Sequence, residues 1–320
     1  MIQKPATNHL QARWIVLVNL RAGDGRYLSK WPALRLRIEK LLPRAQIQVT
    51  KNTGEVREFL NTALSEGTRH VLAVGGDGTA HQVVNAIMRQ NTVPAVEIVF
   101  TLFPLGTGND WVKTHGIPTR WDCWTDYLRQ AQPQQQSLGY AEYLRDGEPR
   151  SSYFLNVAGL AYDAFVVKAL AEKQSRLPAK IYYLWSVLRC LLSYTPQRAR
   201  LRFNEQVVEE AFYTINLGAC RYSGGGMQFV PQADPSAPDL GLTYVRGMSP
   251  WAVLLNSYRF YGGHVATFHA ATLTKTSTLW IEPLDKNEPL LLEADGEFLG
   301  QCPARISAVP AALTFLSRRA

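Results

Sequence analysis

The chain contains no run of about 18 uncharged apolar residues, so no transmembrane helix is expected. It contains no CxxC pair. The four cysteines, Cys123, Cys190, Cys220 and Cys302, lie far apart, which argues against a thiolate zinc site or a disulfide framework and suits small core residues in a reduced compartment. Histidine is sparse: His9, His70, His81, His115, His264 and His269 never fall in HExxH spacing, and no GxSxG elbow occurs, so neither a zincin nor a serine hydrolase is indicated. No apolar segment precedes the charges of MIQKPATNHLQARW; no secretory signal is read and a cytoplasmic location is expected. The 8 Trp and 14 Tyr come without any RNP-like or zinc-finger pattern, so nucleic acid is not an expected partner. No internal repeat or heptad array is found.

Acids are scarce in one region in particular. The formal charge is +8, which favours an anionic partner such as a nucleotide or a lipid surface. Between Lys168 and Arg202 stand Lys168, Lys173, Arg176, Lys180, Arg189, Arg198, Arg200 and Arg202 against the single acid Glu172, so this stretch holds nearly the whole excess. Within it, residues 179–193 (AKIYYLWSVLRCLLS) place Ile181, Leu184, Trp185, Leu188, Leu191 and Leu192 at helical spacing, beside Tyr182, Tyr183 and Tyr194. Such a stripe either packs on its own core or, with the basic flank, touches anionic lipid.

A length of 320 residues with 46% hydrophobic composition suggests two domains. Three early segments share one grammar of apolar strand, glycine-containing loop and helix. Trp14–Val18 leads through NLRAGDGR to a helix carrying Leu34, Ile38, Leu41 and Leu42. Val71–Val74 leads through GGDGT to a helix carrying Val83, Val84, Ile87 and Met88. Ile98–Phe103 leads through PLGTGND to a short helix ending near Gly116. This alternation predicts a parallel sheet flanked by helices, with ligand-binding loops at the carboxyl ends of the strands. The polar segment QAQPQQQSLG (130–139) reads as a domain boundary. Beyond it come candidate strands Tyr140–Leu144, Tyr153–Val157, Ala199–Phe203, Val207–Leu217, Leu242–Arg246, Thr278–Ile281, Leu290–Glu293 and Ala304–Ala308, with a hairpin turn at Asn204-Glu205-Gln206. The expected fold is therefore α/β: a parallel-sheet domain over 1–136, on which 309–320 could pack back, then a larger antiparallel, sandwich-like domain over 137–308.

The loop Gly75-Gly76-Asp77-Gly78-Thr79 is not a Walker loop, because no lysine follows the glycines, and it lacks GxGxxG spacing. A carboxylate among backbone N–H groups suits a phosphate cradle only if a divalent cation lies between the two. The plainer alternative is that Asp77 caps the following helix, although Thr79 could do so already. The loop Pro104-Leu105-Gly106-Thr107-Gly108-Asn109-Asp110 repeats the logic, with a hydroxyl placed between two glycines and a cap at Asp110 as the plainer reading.

GGDGT followed by PLGTGND, then Asn156–Asp163 (NVAGLAYD), Ser223–Pro231 (SGGGMQFVP) and the late Asp295-Gly296-Glu297, resembles the diacylglycerol kinase catalytic domain family, in particular its soluble bacterial lipid kinases. GGDGT alone is shared with NAD kinases and, more loosely, with phosphofructokinases. The resemblance implies transfer of a phosphoryl group from ATP, with Mg²⁺, to a lipid hydroxyl at a membrane surface, in a cleft between the two domains. It implies that Gly75, Gly76, Asp77, Gly78, Thr79, Gly106, Thr107 and Asn109 hold the nucleotide, with Asn19 and Thr50 at its edges. Glu297 would be the general base, Asp295 would organise the metal and its waters, and Asp239 would match a structural metal ligand. A homodimer is a further expectation. Three departures from the family pattern are visible: Asn19-Leu20 for Asn-Pro, His81-Gln82 for Asn-Glu, and Asp239-Leu240-Gly241 for Asp-Gly. The readings that compete are a kinase of a soluble acceptor such as NAD, for which GGDGT would serve equally, and a non-catalytic nucleotide or lipid sensor, for which the loss of a carboxylate at His81-Gln82 speaks.

Overall fold

The structure, a computed structural model, describes residues 9–23, 25, 27–171, 186, 189–247, 249–256, 258–285 and 288–318. The chain divides into two compact units, one formed by 1–136 with 311–320 and the other by 137–310. Residues 172–185, 187 and 188, which carry Lys173, Arg176, Lys180 and most of the 179–193 stripe, lie outside the described residues.

The first unit is built on strands buried along their whole length. In β1 (Trp14–Val18) all five residues are buried, the unbroken apolar run that a strand covered on both faces requires. It leads through α1 (Trp31–Leu41) to β2 (Ala45–Val49), then through α2 (Thr53–Ser65) to β3 (His70–Gly75), α3 (Asp77–Arg89), β4 (Val99–Pro104), α4 (Asp110–Thr114) and α5 (Trp121–Gln130). The β2–α2 pair is additional to the three units expected. Its strand, AQIQV, is polar at every second position and half-exposed, so it carries little apolar signal. Its helix starts cleanly, with the Asn52 side chain accepting a hydrogen bond from Glu55 N at 3.0 Å.

All pairings in this sheet are parallel, in the order β2–β1–β3–β4, and Thr314 and Phe315 from the end of the chain add a fifth strand beside β4. The chain leaves β1 toward β2 and leaves β3 toward β4, in opposite directions. The crevice between the carboxyl ends of β1 and β3 is thus the topological switch point of the sheet, where ligands bind in folds of this kind.

The second unit is antiparallel. Its strands are β5 (Gln132–Arg145), β6 (Glu148–Phe154), β7 (Val157–Ala161), β8 (Gln197–Phe203), β9 (Gln206–Gly218), β10 (Leu240–Arg246), β11 (Ala271–Thr276), β12 (Thr278–Pro283), β13 (Leu291–Ala294) and β14 (Glu297–Ser317). Helix α6 (Tyr162–Ala171) follows β7, and the short helices α7 (Pro250–Asn256) and α8 (Tyr258–Tyr261) lie between β10 and β11. Pairing runs β7–β9–β8–β12–β14–β13 and back to β7, so the expected two-layer arrangement is closed into a ring. Long strands make the corners: β9 pairs with β8 over Gln206–Phe212 and with β7 over Thr214–Gly218, serving two neighbours in turn.

Segment 130–139 runs from the end of α5 into β5, and the division between the units at Gln136 and Ser137 falls within that strand. One local reading needs correction. The expected strand Tyr153–Val157 is interrupted, because Leu155 and Asn156 turn their N–H groups to a carboxylate rather than to a neighbouring strand. The hairpin at Asn204-Glu205 is as expected, with φ of 46° and 63° at the two residues, the type I′ geometry that matches strand twist.

In the first unit the ring of His115 lies between Trp111 and Phe315, with centroids 4.8 and 4.3 Å away, and its Nε2 is 2.9 Å from Gln136 Oε1. Burial lowers its pKa to about 4, against the Gln136 hydrogen bond. Between that value and the ordinary 6.5, the unfolded chain takes up a proton that the folded ring refuses, so stability falls as pH drops through this window and is flat above it. Part of the residue reaches water, so the expected loss is on the order of 2 kcal/mol or less, below the full linkage value. Urea midpoints at pH 7 and pH 5 should differ less in His115→Phe than in the parent protein.

Candidate active site

The two glycine loops of the first unit are locked against each other. Gly75 ends β3 and Gly76 precedes α3. A Cβ on Gly75 would overlap Thr79 Oγ1, and a Cβ on Gly106 would stand 2.6 Å from Gly76 Cα and 2.8 Å from Asn109 Oδ1. These positions must be glycine for the backbones to meet. Leu105 N donates to Gly75 O at 2.7 Å, so the second loop is tied to the end of β3 as well as to β4.

Asp77 does not stand at the N-cap of its own helix, a place that Gly76 takes. It is the first residue of α3, and its carboxylate accepts from the N–H groups of Asp110 (Oδ2, 3.2 Å) and Trp111 (Oδ1, 3.3 Å), at the start of α4. The side chain of one phosphate-type loop therefore caps the helix that follows the other. Asp110 is not a cap either: it is the first residue of α4, mostly buried, with Lys113 Nζ 2.9 Å from its Oδ1. A Cβ on Gly108 would lie 3.1 Å from Asp77 Oδ2 and 3.5 Å from Asp110 Oδ2, so the two carboxylates flank that glycine. Two carboxylates at one loop are the donor type that Mg²⁺ takes, one or two from the protein and the rest of its octahedron from water and substrate.

The remaining expected nucleotide residues surround the switch point. Asn19, just after β1, donates from Nδ2 to Thr79 Oγ1 at 3.2 Å and accepts from Arg21 N at its Oδ1, joining the β1 and β3 loops. Thr50, just after β2, hydrogen-bonds Val18 O through both N and Oγ1. Thr107 is exposed at the tip of its loop. Asn109 adopts the left-handed conformation (φ 51°, ψ 47°), donates to Gly106 O at 2.8 Å and holds its own Oδ1 buried without a hydrogen-bond partner. A buried acceptor of that kind fits a donor on a bound ligand.

In the second unit the Asp295-Gly296 pair forms the two-residue turn between β13 and β14. Its φ values are 54° and 83°, and Ala294 and Glu297 pair across it. Asp295 is buried, and its carboxylate accepts from Leu155 N (3.1 Å) and Asn156 N (2.9 Å) while its own N–H donates to Val157 O. Glu297 is exposed beyond the turn. Asn156 donates to Tyr222 O at 2.6 Å and keeps a buried Oδ1 without a hydrogen-bond partner.

Sequence reasoning missed the carboxyl groups beneath this turn. Glu293 is almost fully buried and its Oε2 accepts from Gly296 N at 2.9 Å. Asp163 Oδ2 accepts a short hydrogen bond from Thr214 Oγ1, which is also reached by Asn216 Nδ2. A Cβ on Gly159 would lie 2.5 Å from Glu293 Oε1 and 3.0 Å from Asp163 Cβ, so the two acids meet over a glycine of β7. Burial lifts both carboxyls above their ordinary values, and for Glu293 the nearby Asp163 adds to the rise. The available signal was a lone acid in the apolar run PLLLEA. Asp239 sits apart from this cluster, with Lys275 Nζ 3.9 Å from its Oδ1. Among the described residues no group of three or more His, Cys, Asp or Glu side chains is placed to hold a metal.

Comparison with known proteins agrees with this arrangement of motifs. Residues 13–141 match the family model of the diacylglycerol kinase catalytic domain, and residues 156–317 match that of the YegS C-terminal NAD kinase beta sandwich-like domain. A diacylglycerol kinase of Mycobacterium tuberculosis is 30% identical over 277 residues, 83% of this chain and 82% of that protein. The chain belongs to the diacylglycerol kinase family of lipid kinases. A Xanthomonas oryzae relative named "Probable lipid kinase YegS-like" is 28% identical over 305 residues, covering 94% of this chain and 95% of that one. The fold is that of a Bacillus anthracis diacylglycerol kinase crystal structure (TM-score 0.66, 17% identity, 95% of this chain and 96% of that one). It is more distantly that of yeast NADH kinase (TM-score 0.52, 10% identity, 97% and 84%).

The clamp at Asp77 is separable from its charge. Asp77→Ala leaves the N–H groups of Asp110 and Trp111 without their acceptor and should lower stability by about 1–2 kcal/mol. Asp77→Asn keeps an acceptor oxygen and should cost less than half of that; chemical denaturation of the two variants side by side measures the difference.

Proposed function

We propose that the protein is an ATP- and Mg²⁺-dependent kinase that phosphorylates the hydroxyl of diacylglycerol or a related lipid. The observation that carries this reading is the pair of glycine loops at the β1/β3 switch point, locked together through Gly76 and Gly106 and flanked by Asp77 and Asp110. Phosphoryl transfer needs little covalent chemistry from the protein; it needs positioning and neutralisation of charge. In this reading the loop N–H groups and Thr107 bind phosphate oxygens, Asn19 and Thr50 border the nucleotide, and the orphan Oδ1 of Asn109 accepts from it. Asp77 and Asp110 would hold Mg²⁺, which when bound supplies the positive charge that lets carboxylates stand in a phosphate site. In the second unit Glu297, reached by solvent and mounted on a rigid two-residue turn, takes the proton of the acceptor hydroxyl. Asp295, with both oxygens committed to Leu155 and Asn156, is a positioning residue for that turn.

The kinases of soluble acceptors share the GGDGT loop, so the acceptor is what must be tested. Purified protein, labelled ATP and Mg²⁺ should yield a labelled lipid from a total lipid extract or from dispersed diacylglycerol, and no labelled product from NAD. A labelled NAD product, or no product from any lipid, would overturn the reading.

The base assignment has its own test. Glu297→Gln is nearly isosteric and should lower turnover by roughly 10²–10⁴-fold, with nucleotide affinity and thermal midpoint close to those of the parent. A fall below about tenfold would remove Glu297 from the role.

A further inference from the structure

Helices α7 and α8 turn four large side chains to water. Trp251, Leu255, Tyr258 and Tyr261 are 66, 74, 64 and 60% exposed. Trp251 and Leu255 on α7 are four residues apart and Tyr258 and Tyr261 on α8 are three apart, the spacing of neighbours on the face of each helix. The other sides of the same helices hold the segment down. Val253 is buried in the main core of the unit, and Phe260 lies 4.9 Å from Phe229 in a smaller buried cluster. Single exposed apolar side chains are ordinary, whereas a row of them on consecutive turns marks an interaction surface.

The segment that carries the row is free of acids. From Gly241 to Ile281 the sequence has no Asp or Glu, and carries Arg246, Arg259, Lys275, His264 and His269. Arg246 and Lys275 face Glu210 and Asp239. Arg259 has no carboxylate partner among the described residues. Its guanidinium lies 5.6 Å over the Tyr258 ring and donates to the backbone and hydroxyl oxygens of Thr267, which fixes a cation within the aromatic row. His264 and His269 are exposed nearby in the chain.

We propose that this face docks on the surface of an anionic lipid bilayer. Trp and Tyr are the side chains that settle at the level of lipid headgroups, Leu255 adds the apolar insertion, and Arg259 supplies a fixed partner for lipid phosphate. An acid-free segment with a fixed guanidinium beside exposed Trp, Leu and Tyr suits that partner. A small apolar patch with few charges gives reversible attachment, which an enzyme that visits the membrane for its substrate requires. In its purpose the proposal rests on the lipid kinase reading; in its test it does not.

The test is co-sedimentation of the full chain with vesicles of equimolar phosphatidylglycerol and phosphatidylcholine, and with phosphatidylcholine alone, at low salt. The parent should bind the anionic vesicles preferentially. Trp251→Ser with Leu255→Ser should weaken that binding by at least about tenfold, while ATP turnover on a short-chain, water-dispersed diacylglycerol stays at the parental level. Arg259→Gln should reduce the preference for the anionic vesicles. Equal vesicle binding by parent and double variant would overturn the proposal, as would a parent that ignores vesicles but forms a dimer that the double variant breaks. As a check independent of variant folding, Leu255→Cys labelled with an environment-sensitive fluorophore should shift to the blue on adding anionic vesicles; an unchanged spectrum counts against the proposal. Absent turnover with intact vesicle binding would fault the kinase reading and leave the docking surface standing.

Discussion

The first unit depends on one contact, the carboxylate of Asp77 against the N–H groups of Asp110 and Trp111. A negative charge in the middle of a phosphate-type loop is a liability unless something positive faces it. Here the helix that opens after the neighbouring loop supplies the partial positive charge of its free N–H groups. The two loops are thereby held in one arrangement before any ligand arrives. That choice dictates the surrounding residues. Gly76 and Gly106 have to lack side chains because their backbones touch, Gly108 because two carboxylates flank it, and Gly75 because Thr79 reaches back over it to meet Asn19. An added methyl group at Gly75 or Gly106 would push apart the elements that the carboxylate draws together.

The second unit solves a similar problem with the same device. The turn that presents Glu297 must be rigid, and a two-residue hairpin by itself is not. Asp295 reaches back to the N–H groups freed where β6 gives way to β7, so one side chain both satisfies a chain break and anchors the turn. Buried N–H groups must be paired with something, and an ionisable acceptor makes the stronger bond. In each unit, then, a residue first read as chemical has a structural duty at its carboxylate oxygens. That duty is compatible with the proposed chemistry, since positioning is most of what phosphoryl transfer asks of a protein.

Much of this was legible in sequence, for identifiable reasons. The unbroken apolar runs WIVLV and VLAVG announce parallel strands buried on both faces, and Asn204-Glu205 and Asp295-Gly296 announce their turns, because backbone conformation there is set by local chemistry. What escaped was non-local. β2 alternates polar residues because it is an edge strand, and carries no run to find. The closure of the antiparallel unit depends on β9 and β14 changing partners midway, which no periodicity records. For Asp77 the sequence offered a cap on its own helix as the plainer alternative, because caps are sequence neighbours; the helix whose N–H groups it meets begins 33 residues later. The exposed row on α7 and α8 escaped for the opposite reason: apolar spacing is the same whether a face is buried or bare.

The acids beneath the hairpin turn show how burial sorts groups of one chemical type. Glu293, Asp295 and Glu297 alternate along a strand and turn, yet meet three environments: enclosed, held by backbone donors, and open to solvent. Removing water from a carboxyl disfavours its charge, and a second acid at the same place disfavours it further. Glu293, with Asp163 facing it, is therefore pushed toward the neutral form. A neutral acid can still accept from Gly296 N and support the turn. An ionised Glu293 would repel the carboxylate of Asp295, two residues away and tied to Leu155 and Asn156. The buried acid thus supports the turn through packing and a hydrogen bond, under a bias against its charge that burial and Asp163 impose.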